Sequence, residues 1–264
     1  MSCAATEAPS QAERIAGDVR GMGRVTPKRS ERRDAFLLAL RRLKQVQKGM
    51  RRKDFLQVMK LKPLPTSDWY ANFSVTEGWL PELSRTNRLP DGKLVEEYSF
   101  GYLEGVRVVE RFAVILVDGR VSRVVRFKEE QRVLPPLPEE LEAKNLDRAT
   151  ENRLLQDYLA RHIWTRKAYE SIAPRLAQLK PGMTSAEMRA YLGGQFLRLA
   201  NGLVYVQPGF LWGEGFRYEK GNGRAIIPMG YREGGQTHLR MIIRTEHGVI
   251  AEVKPMGDRV EPSR

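Results

Sequence analysis

Cations are the most prominent chemically active residues of this 264-residue chain. Seven lysines and arginines lie within thirteen positions that contain no acidic residue, and we call this set the basic ridge. The basic ridge consists of Arg41, Arg42, Lys44, Lys48, Arg51, Arg52 and Lys53. Such a cluster binds phosphates or carboxylates through its charge, so it predicts an anion-binding surface. A solvated helix face in a chain of net charge +13 is the alternative interpretation.

Aromatic residues next to proline and glycine form the second group of candidates. The predicted partner-binding residues are Trp69, Tyr70, Phe73, Trp79, Phe210, Trp212 and Phe216. Aromatic side chains anchor interfaces because they bury large areas at a low cost in rotamer freedom, and irregular segments on a rigid scaffold often bind partners. Burial of the same rings in the core is the alternative interpretation.

The chain gives little sign of a catalytic or metal-binding site. The sequence contains neither a Walker loop nor G-x-G-x-x-G spacing. His238 and His247 lack the spacing and acidic neighbours of a metal site, and His162 lies on an otherwise apolar face, where we expect a core histidine. Cys3, the single cysteine, has no visible activating base. We therefore expect no enzymatic activity, no metal, no cofactor and no small-molecule substrate.

Hydrophobic periodicity indicates which elements position these residues. Helical spacing begins at Phe36 and stops at Gly49, and a second short helix ends before Pro63. The predicted strands are Leu94 to Tyr102, Val106 to Val117 and Val121 to Phe127. Asp118-Gly119 predicts a two-residue type I′ hairpin between the last two strands.

The same pattern recurs in the second half of the chain. Gly49-Met50 is matched 133 positions later by Gly182-Met183, and Asp118-Gly119 is matched 129 positions later by His247-Gly248. Thr184 to Glu187 has the sequence of a capping box. We expect Leu43, Val46, Phe55 and Met59 to be equivalent to Leu176, Leu179, Met188 and Leu192. Chance similarity of two short segments is the alternative.

These observations predict an α+β protein with two tandem units, each a helix pair packed on an antiparallel β-sheet meander. The predicted segments are a tail at 1–35, a first unit at 36–127, a proline-rich linker and charged helix at 128–169, a second unit at 170–256 and a tail at 257–264.

The helix that ends in Gly-Met, the capped second helix and the closing hairpin resemble the SmpA/OmlA family of small outer-membrane lipoproteins. Leu179 to Gly193 carries the resemblance best, and the similarity covers roughly residues 36–127 and 170–255. Two such units in one chain resemble the β-lactamase-inhibitor-protein-like architecture, in which two halves join their sheets into one concave surface. The resemblance implies a protein-binding module of the bacterial cell envelope without catalytic residues.

The expected function is therefore a non-catalytic protein-binding or scaffold module of a bacterial cell envelope. Ser2-Cys3-Ala4-Ala5 is similar to the end of a lipoprotein signal, so an upstream apolar segment would make Cys3 a lipid-anchoring site of a periplasmic protein. The alternative is a cytoplasmic protein that binds nucleic acid or another anionic polymer through the basic ridge. Membrane headgroups are a further anionic partner that the charge allows.

Overall fold

The alternation of apolar and polar residues along the strands produces two antiparallel sheets with helices packed against them. The structure is a computed structural model that describes residues 33–61, 78–80, 83–89, 91–128, 134–142, 146–199, 202–211, 217–219 and 224–262. The helices are α1 (Arg33–Leu43), α2 (Arg52–Val58), α3 (Glu139–Glu142), α4 (Arg148–Tyr158), α5 (Arg166–Leu176) and α6 (Ser185–Leu192), with a π-helical turn at Leu159–Ile163. The predicted α+β class is confirmed.

The first sheet has six strands and contains strands from both halves of the chain. Its strands are β1 (Arg85–Arg88), β2 (Leu94–Glu104), β3 (Arg107–Val117), β4 (Arg120–Arg126), β5 (Gln195–Leu199) and β6 (Gly202–Val206). β2 pairs with β3 along its length, whereas β4 and β5 share the other edge of β3. Thus β5 and β6, which lie within the predicted second unit, extend the sheet of the first.

The second sheet contains only strands from the second half of the chain. Its strands are β7 (Arg217–Glu219), β8 (Arg224–Glu233), β9 (Gln236–Glu246) and β10 (Val249–Pro262), in the order β10-β9-β8-β7. β10 continues through residues 257–262, which the sequence interpretation had placed in a tail. The region predicted as a charged helix is divided into α3, α4, the π-helical turn and α5.

The turn between α1 and α2 is hydrogen-bonded to the β3–β4 hairpin. The backbone amide of Gly49 donates to the carbonyl of Val121 at 2.7 Å, and the amide of Val121 donates to the carbonyl of Met50 at 2.9 Å. The amide of Arg52 donates to the carbonyl of Gly119 at 2.7 Å. These bonds satisfy free amides at the start of α2 and hold its first turn against the hairpin.

The turn between α5 and α6 makes the corresponding bonds to the β9–β10 hairpin. The amide of Gly182 donates to the carbonyl of Ile250 at 2.8 Å, and the amide of Ile250 donates to the carbonyl of Met183 at 2.8 Å. The amide of Ser185 donates to the carbonyl of Gly248 at 2.9 Å. The backbone pattern of the first turn therefore recurs here.

Each helix pair packs its apolar side on strands and forms a separate core. Leu43, Phe55 and Met59 are buried in the first core, with Val46 half-buried beside them. The residues predicted to be their equivalents are buried in another core; they are Leu176, Leu179, Met188 and Leu192. The helix periodicity therefore predicted the buried face of both helix pairs.

Candidate anion-binding surface

The basic ridge lies on α1, on α2 and on the turn that joins them. Five of its seven side chains are exposed, namely Arg41, Lys44, Lys48, Arg51 and Lys53. Arg42 and Arg52 are half-buried. The helices present these cations because their apolar residues pack on the first sheet, which leaves the polar positions on the opposite side.

Arg52 differs from the other ridge residues because it is bound to a buried carboxylate. Its Nε lies 2.7 Å from Oε1 of Glu96, and the hydroxyl of Tyr98 donates to the same oxygen at 2.8 Å. Burial opposes the charge on Arg52, but Tyr98 and Glu96 outweigh it, so the pKa of the guanidinium is raised. Burial also raises the pKa of Tyr98. Arg52 therefore takes part in an internal ion pair, and its role in anion binding stays a prediction.

The β3–β4 hairpin adds a cation that the sequence interpretation did not include. Arg120 pairs with Arg51 in an antiparallel bridge, and its Nη1 donates to the carbonyl of Gly49 at 3.2 Å. The side chain of Arg120 is exposed. The repeated Gly-Met turn is the sequence signal that could have indicated this contact. In each half of the chain, the helix that follows this turn meets a hairpin.

The exposed charges of residues 33–61 are almost all positive. The exposed cations are Arg33, Arg41, Lys44, Lys48, Arg51, Lys53 and Lys60. Asp34 is the single exposed acidic side chain among these residues, all of which the structure describes. A concentration of like charges produces a positive potential, which attracts anions and rises as the salt concentration falls.

Two of the seven predicted partner-binding aromatics lie among the described residues, and both are core side chains. Trp79 is 3% exposed, its Nε1 donates to Oγ of Ser84 at 2.9 Å, and its backbone bridges to Phe100. Phe210 is 2% exposed and its backbone bridges to Met229. Neither ring is accessible as an interface anchor, because each is buried in a hydrophobic core.

The other predicted partner-binding residues lie outside the part of the chain that the structure describes. They are Trp69, Tyr70, Phe73, Trp212 and Phe216. Their role in binding stays a prediction.

The three histidines have separate surroundings. His162 is exposed and lies beside Tyr158, with 5.2 Å between the ring centroids, so the expectation of a core histidine is wrong. The ring of His238 stacks on Tyr231 with centroids 4.6 Å apart. His247 occupies the first turn position of the β9–β10 hairpin with φ of 50°. Among the residues described, no group of three or more histidine, cysteine, aspartate or glutamate side chains could hold a metal ion.

A buried ionic cluster joins α6 to the first sheet. Arg189 is 3% exposed and binds Glu110 through two contacts, Nε to Oε2 at 3.0 Å and Nη2 to Oε1 at 2.8 Å. Burial opposes the charge of Arg189, but Glu110 outweighs it and raises the pKa of the guanidinium. This bidentate pairing fixes the position of α6 along β3 and its distance from that strand.

Glu97 lies in the same cluster without a strong partner. It is 1% exposed, its Oε1 accepts from the amide of Ala186 at 3.4 Å, and its Oε2 has no hydrogen-bond partner among the described residues. Burial raises the pKa of Glu97 despite the opposing charges of Arg189 and Arg85. Sequence reasoning missed this cluster, although acidic residues inside apolar strands were a signal of buried charge.

The first turn of α6 is attached to the first sheet by a second ion pair. Nη2 of Arg123 lies 2.7 Å from Oε2 of Glu187. Glu187 also accepts from the amide of Thr184 at 2.8 Å, and the Thr184 side chain accepts from the amide of Glu187, so the predicted capping box is confirmed. Burial opposes ionisation of Glu187, but the hydrogen bond from Arg123 is among the contacts that outweigh it and lower the pKa.

Comparison of the chain with models of protein families, with curated proteins and with solved structures gives no significant match. The resemblance to the SmpA/OmlA family therefore stays a prediction. None of the helices in the described ranges combines the length and the apolar character needed to cross a membrane.

Proposed function

We propose that this protein is a binding or scaffold module made of two tandem helix-pair-plus-sheet units. Its basic ridge, extended by Arg120, engages the negatively charged surface of a partner macromolecule. The observation that carries the proposal is the exposed positive face of residues 33–61, where the cations of two helices and their turn adjoin those of a hairpin. The function is binding and not catalysis.

Side-chain contacts in the first half support the tandem layout. The guanidinium of Arg33 lies 5.8 Å from the ring centroid of Tyr102. Phe36, one helical turn further along α1, has its ring centroid 5.6 Å from that of Tyr102. An arginine and an aromatic residue of one helix therefore contact the same strand tyrosine.

The second half has the same arrangement at the predicted offsets. The guanidinium of Arg166 lies 5.9 Å from the ring centroid of Tyr231, and the ring centroid of Tyr169 lies 6.0 Å from it. The helix residues are 133 positions after their counterparts, and the strand tyrosine is 129 positions after its counterpart. Chance similarity of two short segments would not predict a shared three-residue contact.

Two glycines at equivalent strand positions support the same proposal. A Cβ atom on Gly101 would lie 2.0 Å from the carbonyl oxygen of Val109, and one on Gly230 would lie 2.0 Å from that of His238. Each glycine follows a register shift in its strand. Both strands therefore bend at a place where only glycine fits.

The test uses a 20-bp DNA duplex of arbitrary sequence as a soluble polyanion. The ridge variant replaces Arg41, Lys44, Arg51 and Lys53 with glutamine. All four are exposed, so the fold should be retained. Its control replaces four exposed cations elsewhere, Arg161, Lys167, Lys180 and Lys254, with glutamine, so that both variants lose the same charge. Affinity is measured at several salt concentrations.

We expect the wild-type affinity to fall steeply with salt, because each contact to a phosphate releases about one counterion. The ridge variant should reduce the slope of log affinity against log salt by about 3, and the control variant by less than about 1. Equal effects of the two variants would show that binding depends on net charge alone and would overturn the proposed role of the ridge.

A further inference from the structure

Two adjacent leucines on α1 are exposed beside the basic ridge. Leu37 is 47% exposed and Leu38 is 39% exposed. Among the large apolar side chains that the structure describes, only Val260, at 44%, is similarly exposed, and it lies on β10. Isolated exposed apolar residues are common on protein surfaces, but a neighbouring pair next to a concentration of cations is a more specific arrangement.

Helix geometry places these leucines beside Arg41 on the outer side of α1. Ala35, Phe36 and Ala39 are the buried residues of the first turns of α1 and face the first sheet. Leu37 lies four residues before Arg41 and Leu38 lies three residues before it, so all three are neighbours on the helix surface. The outer side of α1 is therefore apolar in its centre and basic towards its C-terminal end.

The combination of exposed leucines and cations favours one class of anionic partner over another. A nucleic acid contacts exposed cations through its phosphates, but the phosphates gain nothing from neighbouring leucines. The interfacial region of an anionic bilayer accepts apolar side chains and attracts lysine and arginine at the same time. The observed face carries both kinds of side chain.

We propose that the outer face of α1, together with the basic ridge, docks on an anionic lipid bilayer. Leu37 and Leu38 enter the interfacial region, while Arg41, Lys44 and Lys48 contact lipid phosphates. This inference rests on the proposed function, because the same cations provide the attraction in both.

The experiment measures cosedimentation of the full chain with vesicles. One set contains phosphatidylcholine with phosphatidylserine as the anionic component, and the other contains phosphatidylcholine alone. The double variant Leu37→Ser/Leu38→Ser removes the apolar pair, and Val260→Ser is the control at the other exposed apolar residue. Thermal unfolding and binding to the DNA duplex are measured for each variant to establish that it is folded.

We expect binding to the anionic vesicles and none to the neutral ones. The leucine variant should weaken vesicle binding about tenfold, while its affinity for the DNA duplex and its melting temperature stay unchanged. The Val260→Ser control should bind vesicles as the wild type does.

Each negative result of the binding experiments overturns a different part of the two proposals. If the protein binds the DNA duplex but not the anionic vesicles, the bilayer is excluded and the proposed function stands, with nucleic acid or an acidic protein as the partner class. If the leucine variant binds vesicles as tightly as the wild type, the docking face is wrong. If neither probe binds, both the docking surface and the proposed function are overturned.

Discussion

Helices α2 and α6 each follow a turn that is hydrogen-bonded to a hairpin, but α2 lies at the surface whereas α6 lies inside the protein. Lys53 and Gln57 of α2 are exposed. All eight residues of α6 are described, and each is buried or half-buried. The same local structure is therefore used once as an outer layer and once as an inner layer.

The side chains at matched positions explain the difference. Lys53 and Gln57 correspond, 133 positions later, to Ala186 and Ala190. Both alanines pack against a core on the first sheet, in contact with a set that includes Ile115. Small residues allow α6 to approach the sheet closely, whereas the long polar residues of α2 keep that side in water. The outer residues of a helix, and not its turn or its hairpin, therefore decide whether it is an exposed basic surface or an inner layer.

The largest expected effect comes from the buried ion pair of α6. Arg189→Leu places at this position the residue type that α2 has at Leu56. We expect it to lower the free energy of unfolding by about 3–5 kcal/mol, because it removes the two-point ion pair that Arg189 makes with the buried Glu110 carboxylate. Chemical denaturation measures the loss.

The double variant Arg189→Leu/Glu110→Leu should recover part of that stability, since neither member of the pair is then buried without the other. Arg153→Leu, on the exposed side of α4, is the control and should change stability by less than about 0.5 kcal/mol. A loss below about 1 kcal/mol for Arg189→Leu would mean that α6 is not held inside by this pair.

An exchange of the outer residues tests the comparison directly. Ala190→Gln introduces the residue type of Gln57 into the contact between α6 and the first sheet. We expect it to lower the free energy of unfolding by about 1–3 kcal/mol through overpacking. The reciprocal change, Gln57→Ala, lies at the surface and should shift stability by no more than about 0.5 kcal/mol. Similar losses from both changes would contradict the assignment of an inner and an outer helix.

Glu97→Gln tests the unpartnered carboxylate beneath α6. Burial raises the pKa of Glu97. The folded protein therefore retains the proton on this carboxyl to a higher pH than the unfolded chain, in which glutamates titrate at about 4.3. The wild type should therefore lose stability relative to the variant as the pH rises from about 4 through the folded pKa. At neutral pH we expect Glu97→Gln to be more stable by about 1–3 kcal/mol.

The neighbouring residue provides a matched control of opposite sign. Glu96→Gln removes the charge that Arg52 binds and should destabilise the protein at neutral pH. A stability difference between Glu97→Gln and wild type that does not vary with pH would argue against a raised pKa of the buried Glu97 carboxyl.

The smallest effect concerns a residue with positive φ just beyond the end of each helix. Lys60 has φ of 57° at the end of α2, where α6 has Gly193 with φ of 79°. Lysine is strained in this left-handed conformation, whereas glycine is not. Lys60→Gly should stabilise the protein by up to about 1 kcal/mol, and Gly193→Ala should destabilise it by about as much. Thermal denaturation of both variants measures the effect, and stabilisation by Gly193→Ala would contradict the equivalence.

Local features of the fold were predictable from the sequence. The hairpin turns at Asp118-Gly119 and His247-Gly248 have the positive φ angles that a type I′ turn requires, and the capping box of α6 forms as expected. These features depend on residues within about four positions of one another, so the sequence alone carries the information.

Features that depend on distant residues were not predictable in the same way. The pairing of β5 with β3 and the contact of Arg189 with Glu110 join residues 79 or more positions apart. A helical pattern shows which face is apolar but not what covers the other face, so the burial of α6 could not be inferred. Of the candidate site, the basic ridge was visible as a charge run, whereas Arg120 joined it only through the hairpin contact.

The central claim, that the basic ridge of the α1–α2 pair binds anions and the α5–α6 pair does not, is tested most directly by lysine footprinting. Acetylation rates of exposed lysines are compared with and without the DNA duplex. The ridge lysines are Lys44, Lys48 and Lys53, and the reference lysines are Lys167, Lys180 and Lys254. We predict that the duplex slows acetylation of the ridge lysines severalfold and leaves the reference lysines unchanged. Equal protection of both sets, or protection confined to the reference lysines, would contradict the claim.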